Sequence, residues 1–195
     1  LRVNYESDLP ARTGLGTSSS FAVGLLNAFY ALKGKYASKK QLADEAIYVE
    51  RELCKESGGW QDQIAAAFGG FNRIDFKDNG YKVSPIIISP GRKQRLNDNL
   101  LLFFTGFSRF SSEIQKSTEA AIKDKTAQLK EMLALVNEAQ EVLVNDKSDL
   151  DDFGRLLDTT WRLKRQTGAK ISTGSIDELY EKGIKAGALG GKLLG

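Results

Sequence analysis

Histidine is absent from all 195 residues. That excludes Ser-His-Asp and Cys-His catalytic arrangements and histidine-built metal sites within the chain. Any general base here is therefore a carboxylate, a lysine or a tyrosine. Cysteine occurs once, as Cys54, which excludes an internal disulfide and a cysteine zinc cluster. A lone thiol fits a reducing compartment, so the expected location is cytoplasmic. No apolar run approaches the ~20 residues of a membrane span, and no signal peptide is visible, so no membrane partner is expected. A strong charge bias is missing too. With 28 basic and 25 acidic residues the net charge is +3, too balanced for a dedicated nucleic-acid binder. Any anion selectivity must be local.

What is present is the composition of a soluble globular protein, 41% hydrophobic and 27% charged, long enough for one large domain or two small ones. The chain is organised around Pro10 to Ser20, PARTGLGTSSS. Leu1 to Glu6 alternates apolar and polar and predicts a strand before it. A long apolar run, Phe21 to Leu32, comes after it. Strand, glycine-rich loop and helix is the order of an anion cradle. Gly14 and Gly16 permit positive φ and leave no side chain between backbone and ligand. Thr17 to Ser20 fall on the first helical turn, whose free N–H groups attract phosphate. The loop is not a Walker A motif, since it has no Gly-Lys-Ser/Thr, nor a dinucleotide G-x-G-x-x-G, since Ser19 stands at the third glycine. An ordinary helix N-cap with a flexible approach is the plainer alternative.

The first helix is expected over Ser18 to Leu32, apolar nearly all round and hence buried, and ended by Gly34. Ser38 with Gln41 is a capping-box pair opening a second helix to about Glu56. Glu50 falls on its apolar stripe, four residues after Ala46 and four before Cys54. A carboxylate there is desolvated unless it is paired or bound to a cation. Arg51 and Lys55 are the alternative partners. Ser57-Gly58-Gly59 breaks the helix, and Asp62 opens a short alanine-rich one flanked by Trp60 and Phe68. Either Asp62 complements the helix dipole, or it is a functional carboxylate in a partly buried setting.

Phe71 to Phe76 and Tyr81 to Ile88 predict a hairpin turned at Asn79-Gly80. Ser89-Pro90-Gly91-Arg92-Lys93 reads as a linker. Asn99 to Thr105, continuously apolar, predicts a central strand. Helices are expected over Ser112 to Asn145, Ser148 to Gln166 and Ser175 to Ala186, with capping-box pairs Ser112/Gln115 and Ser175/Glu178. The small residues from Ala186 to Lys192 allow a close backbone approach. The order is mixed α and β and then mainly helical, so the fold class is α+β in two parts. Leu1 lies inside an expected strand and the chain ends on a glycine-rich run, so a piece of a longer polypeptide is expected.

Three segments, in order, resemble the GHMP small-molecule kinase superfamily. They are Gly14-Leu15-Gly16-Thr17-Ser18-Ser19-Ser20, Gly59-Trp60-Gln61-Asp62-Gln63, and Ala186 to Gly195. The similarity is greatest to the sugar-kinase branch acting on D-glycero-D-manno-heptose 7-phosphate, through Phe21 to Leu26, Asp98 to Thr105, Trp161 and Lys192 to Gly195. Thr17 stands where the family more often has serine. The family's first motif and its final glycines would lie outside the chain.

The resemblance implies part of an N-terminal ATP-binding domain over 1–90, similar to ribosomal protein S5 domain 2. It implies a helix-rich, ferredoxin-like C-terminal domain over 91–195, both incomplete. It places the ATP phosphates on the backbone of Gly14, Leu15, Gly16, Thr17, Ser18, Ser19 and Ser20, Mg²⁺ on Ser18 and Glu50, and the acceptor hydroxyl at Asp62. The implied reaction moves the γ-phosphoryl group of ATP to the anomeric hydroxyl of a phosphorylated heptose, with fucose or galactose as other acceptors. An inactive nucleotide-binding relative is a further alternative. A sugar phosphate also needs cationic partners. Arg109 and Lys164 are the candidates, against a reading of both as surface charges. A homodimer is a possible assembly.

Overall fold

The computed structural model describes residues 2–6, 14–56, 58–105, 125–168 and 171–194. They divide into two compact units. One runs to Val83 and includes Leu194; the other holds 84–105 and 125–193.

In the first unit, helix α1 (Thr17–Leu32) starts at Gly16, whose φ of 69° is left-handed. It ends where its composition says it should. Gly34 (φ 63°) comes after the last turn, its N–H donating to Ala31 O while Lys35 N–H donates to Tyr30 O. This paired closure is the Schellman arrangement that glycine favours. Helix α2 (Lys39–Tyr48) is capped by Ser38, whose Oγ accepts from Gln41 N–H at 3.1 Å. The reciprocal half of the capping box is not made. The Gln41 amide donates instead to Tyr30 Oη and to Glu45.

The expected continuation of α2 to Glu56 is replaced by a π-helical turn, Val49–Leu53, closed by Cys54 N–H on Val49 O. Such turns insert one extra residue and gather at functional sites. Helix α3 (Gln61–Phe68) then packs against α1 and α2. Val23, Ala37, Leu42 and Ala46 form the shared core, joined by Leu26, Ala66 and Ala67. Ala43 and Ala46 have no exposed surface, and their small side chains let the helices approach closely. Helix α1 is less enclosed than its apolar composition predicts. Ser19 and Val23 are buried, but Phe21 and Leu32 are exposed, because α2 and α3 cover one side of it. Residues 2–6 carry no assigned strand and pair with no described strand, so the expected first strand is not found among the described residues. Tyr5 meets Phe21 edge-on, ring centroids 4.5 Å apart.

The hairpin is present as β1 (Asn72–Lys77) and β2 (Gly80–Pro85), turned at Asp78-Asn79. It is the one sheet among the described residues. Tyr81 Oη donates to Asp44 Oδ1 at 2.8 Å and ties the hairpin to α2. Burial, then the neighbouring Asp44, pushes the Tyr81 phenol up from its ordinary pKa.

In the second unit the expected linker is a helix. Helix α4 (Pro90–Asp98) has Ser89 as its cap and Pro90 in its first turn. Pro and Ser have the composition of a break, but Pro at the first helical position has no N–H to lose there, and its φ suits a helix. Helix α5 (Thr126–Val144) is succeeded by α6 (Asp151–Gln166) and α7 (Gly174–Lys185). Helix α7 starts one residue earlier than expected. Its cap position is Thr173, so Ser175 lies inside the first turn and makes no capping box. The Ser112/Gln115 pair lies outside the described residues. Asn99 closes α4 as a turn, and 100–105 carry no strand, so the expected central strand is not found among the described residues. Leu101 is 81% exposed and Phe104 70%, with no strand beside them among the described residues.

The core of this unit is Trp161, Ile171 and Ile176, with Tyr180 and Leu193 against it. The expected close approach at the glycine-rich tail is present. A Cβ on Gly190 would sit 2.1 Å from Gly154 O on α6, and one on Gly154 would sit 2.8 Å from Leu189 Cβ.

Candidate active site

Helix α1 begins without a side-chain cap and without an acidic residue in its first turn. Ser20 N–H closes on Gly16 O at 3.0 Å. The N–H groups ahead of it have no helical partner, and the positive end of the dipole coincides with them. Gly14 and Gly16 are both left-handed, at φ 74° and 69°. The loop thus has the backbone shape and the charge preference of an anion cradle.

Asp62 reaches this loop from the first turn of α3. A Cβ built on Gly16 would lie 3.6 Å from both Cβ and Cγ of Asp62 and 3.8 Å from Oδ2. Glycine at 16 therefore leaves the carboxylate directly beside loop backbone. Asp62 is exposed, not half-buried as its aromatic neighbours suggested. Its carboxylate is accessible from solvent.

Glu50 comes to the same helix start from the π-turn. It is 7% exposed, as its place on an apolar stripe predicted. Ser19 Oγ donates to Glu50 Oε2 at 3.1 Å, and Gln63 Nε2 donates to the same oxygen. Arg51 Nη2 stands 4.0 Å from it. Glu50 Oε1 is buried and accepts nothing. An orphaned, buried carboxylate oxygen beside a helix start is what a hard cation would complete. Mg²⁺ commonly takes only one or two protein ligands, with phosphates and water supplying the rest. No cluster of three acidic, cysteine or histidine groups occurs among the described residues, so any metal held here needs such outside oxygens. Of the two neighbouring serines, Ser19 is the buried one bonded to Glu50, while Ser18 is exposed at the helix start.

Arg51 does not neutralise Glu50 as a close pair. Its Nη1 donates to Glu56 O at 3.0 Å and its Nη2 to Gly59 O at 2.6 Å, fastening the turn that leads to Asp62. Gly58 is needed there: at φ 154° a Cβ would meet the Arg51 guanidinium at 2.7 Å. Sequence reasoning missed this role of Arg51 and the role of Gln63. A polar Gln63 four residues before Ala67, on the apolar side of α3, was the available signal.

Lys164 lies half-buried on α6 in the second unit. Burial, then the Lys192 ammonium, pulls its pKa below the usual lysine range. Arg109 lies outside the described residues.

Residues 1–70 match the family described as GHMP kinases N terminal domain. Over 193 residues the chain is 31% identical to a D-glycero-alpha-D-manno-heptose 7-phosphate kinase of Campylobacter jejuni, covering 97% of this chain and 56% of that protein. It is 26% identical over 191 residues to a bifunctional fucokinase/GDP-fucose pyrophosphorylase of Arabidopsis thaliana, covering 93% of this chain and 18% of that one. The fold is shared with the crystal structure of a D-glycero-D-manno-heptose 1-phosphate kinase from Bacteriodes thetaiotaomicron. There the TM-score is 0.65 and the identity 28%, covering 97% of this chain and 53% of the other. The chain spans about half the length of these heptose kinases.

Proposed function

We propose, on the premise that the chain belongs to the GHMP kinase family through its N-terminal domain at residues 1–70, that it is part of an ATP-dependent sugar kinase. The acceptor is the anomeric hydroxyl of a phosphorylated heptose, D-glycero-D-manno-heptose 7-phosphate, and the product is the 1,7-bisphosphate. Residues 1–90 serve the ATP-binding domain and 91–195 the C-terminal domain, and the enzyme works in the cytoplasm. The observation that carries this reading is the placement of Asp62 against Gly16, with no side chain between carboxylate and loop.

The backbone of Gly14 to Ser20 holds the ATP phosphates by N–H donation at an uncapped helix start. Ser18 and Glu50 hold Mg²⁺, which when bound supplies charge neutralisation on the phosphate oxygens. Glu50 offers its bare Oε1, and Ser19 steadies the other oxygen. Asp62 accepts or orients the proton of the acceptor hydroxyl. Phosphoryl transfer is largely positioning and electrostatics, so one carboxylate at the acceptor suffices. Arg109 and Lys164 are the proposed cationic partners of the sugar's phosphate. An anion beside Lys164 would relieve its repulsion from Lys192.

The test is an acceptor panel. The full-length protein with ATP and Mg²⁺ should turn over the heptose 7-phosphate far faster than fucose or galactose. Faster turnover of fucose or galactose would reassign the acceptor. Nucleotide binding without turnover on any sugar would reduce the chain to a binding relative.

A further inference from the structure

We propose that Gln63 is a positioning residue for the cation site: its amide holds one oxygen of Glu50 so that the other stays bare toward the metal. The proposal rests on the reading of Glu50 as a metal ligand. Gln63 has no exposed surface and sits directly after Asp62 on α3. An ionised carboxylate can only accept, so the amide face turned to Glu50 must be its NH₂ group.

Donors are distributed unevenly over Glu50. Ser19 Oγ and Gln63 Nε2 both land on Oε2, and the nearest guanidinium nitrogen, Arg51 Nη2, is on that side too. Nothing donates to Oε1, although it is buried. A buried carboxylate with two donors available would gain by dividing them between its oxygens, since an unsatisfied buried acceptor is costly. Here both are spent on one. The arrangement fixes the carboxylate plane and reserves a single oxygen, as a monodentate ligand requires. Groups that orient a ligand in this way typically change metal affinity by about 10–100-fold when removed. Gln63 Oε1 itself accepts nothing, so its bond to Glu50 is the one described fixed contact of that amide. Because Gln63 and Asp62 are consecutive, the residue facing the acceptor and the clamp on the metal ligand share one helical turn.

The experiment measures Mn²⁺ affinity of the full chain in saturating ATP, by the electron paramagnetic resonance signal of free Mn²⁺. Gln63→Met keeps the volume and removes the donor. It should weaken Mn²⁺ about tenfold, and high Mg²⁺ should restore most of the turnover. Gln63→Ala, which only deletes atoms, is the second variant should methionine not be accommodated. In the unaltered protein Mn²⁺ with ATP should also broaden the Gln63 side-chain amide resonance. A Mn²⁺ affinity within twofold of the parent, with only the melting temperature lowered, would make Gln63 a packing residue and overturn the proposal. Glu50→Gln separates the two levels. If it weakens Mn²⁺ and Gln63→Met does not, the clamp alone falls. If neither does, Glu50 is not the ligand.

Discussion

Residue by residue, the site depends on polar groups forced into apolar surroundings. Glu50 was visible in the sequence because a carboxylate on a helical stripe between Ala46 and Cys54 has to be paired or ligated. Its actual partners were not visible, because Ser19 and Gln63 lie on other helices, 31 and 13 positions away. Gly58 makes a sharper case. Its φ of 154° and the guanidinium 2.7 Å from a built Cβ mean that Gly58→Ala must displace Arg51. Loss of the Arg51 bonds to Glu56 O and Gly59 O would loosen the turn before Asp62. The substitution should destabilise the protein by about 1–3 kcal/mol and lower turnover, both read from urea melts and steady-state rates. A melt unchanged from the parent would show that Arg51 does not hold this turn.

At the scale of elements, signals confined to a few neighbouring residues were the most legible. The Ser38 cap and the Gly34 stop formed where the sequence puts them, and the hairpin formed with its turn one residue earlier, at Asp78-Asn79, since each is decided within about five residues. Ser89-Pro90 is ambiguous in sequence, because the same two residues can break one helix or begin another. The decision falls to Arg92, two positions beyond and 1% exposed. Its guanidinium donates to Leu143 O at 2.8 Å, to Val142 O and to Ser148 O at 2.9 Å, so it caps the last turn of α5 from α4. Arg92→Leu should cost on the order of 3 kcal/mol by stranding those carbonyls. Arg92→Lys should recover only part of this, because a point charge cannot match a planar fork. Chemical denaturation of the three proteins measures both.

Helices α6 and α7 are joined by a second polar hub, which responds to pH. Asp158 accepts from Tyr180 Oη and pairs with Arg162 Nε at 2.9 Å, while Tyr180 is pushed up to about 12 by burial and by Asp158. Burial of Asp158 favours its neutral form, but the bonds from Tyr180 and Arg162 outweigh this and hold its carboxyl below the usual value. A folded pKa below the unfolded one stabilises above the unfolded value, near 4. That stabilisation is lost as pH falls through the folded value. Asp158→Asn should therefore lower stability by about 1 kcal/mol near neutrality. The gap from the parent should narrow below about pH 4. A gap that stays constant with pH would mean that the charge on Asp158 contributes nothing.

For the molecule as a whole, the mixture of helix and strand was legible, but the linker read at Ser89 to Lys93 runs into helix α4, while the two compact units divide after Val83. The strands were less legible. Leu1 to Glu6 and Asn99 to Thr105 have strand composition, but a strand needs a neighbour, and none stands beside either among the described residues. The described part of the candidate phosphate and metal site lies in the first unit. ATP with Mg²⁺ should slow hydrogen exchange most at 17–20 and in α3, and least in α5. Uniform protection, or protection strongest in α5, would place nucleotide binding elsewhere.

The most direct measurement compares ATP affinity and turnover in the full-length protein before and after Asp62→Asn. The account predicts that ATP affinity with Mg²⁺ stays within a few-fold, since the loop amides are untouched, while turnover falls by about 10²–10⁴-fold. Turnover close to that of the parent would contradict it, because the carboxylate beside Gly16 would then have no part in the chemistry.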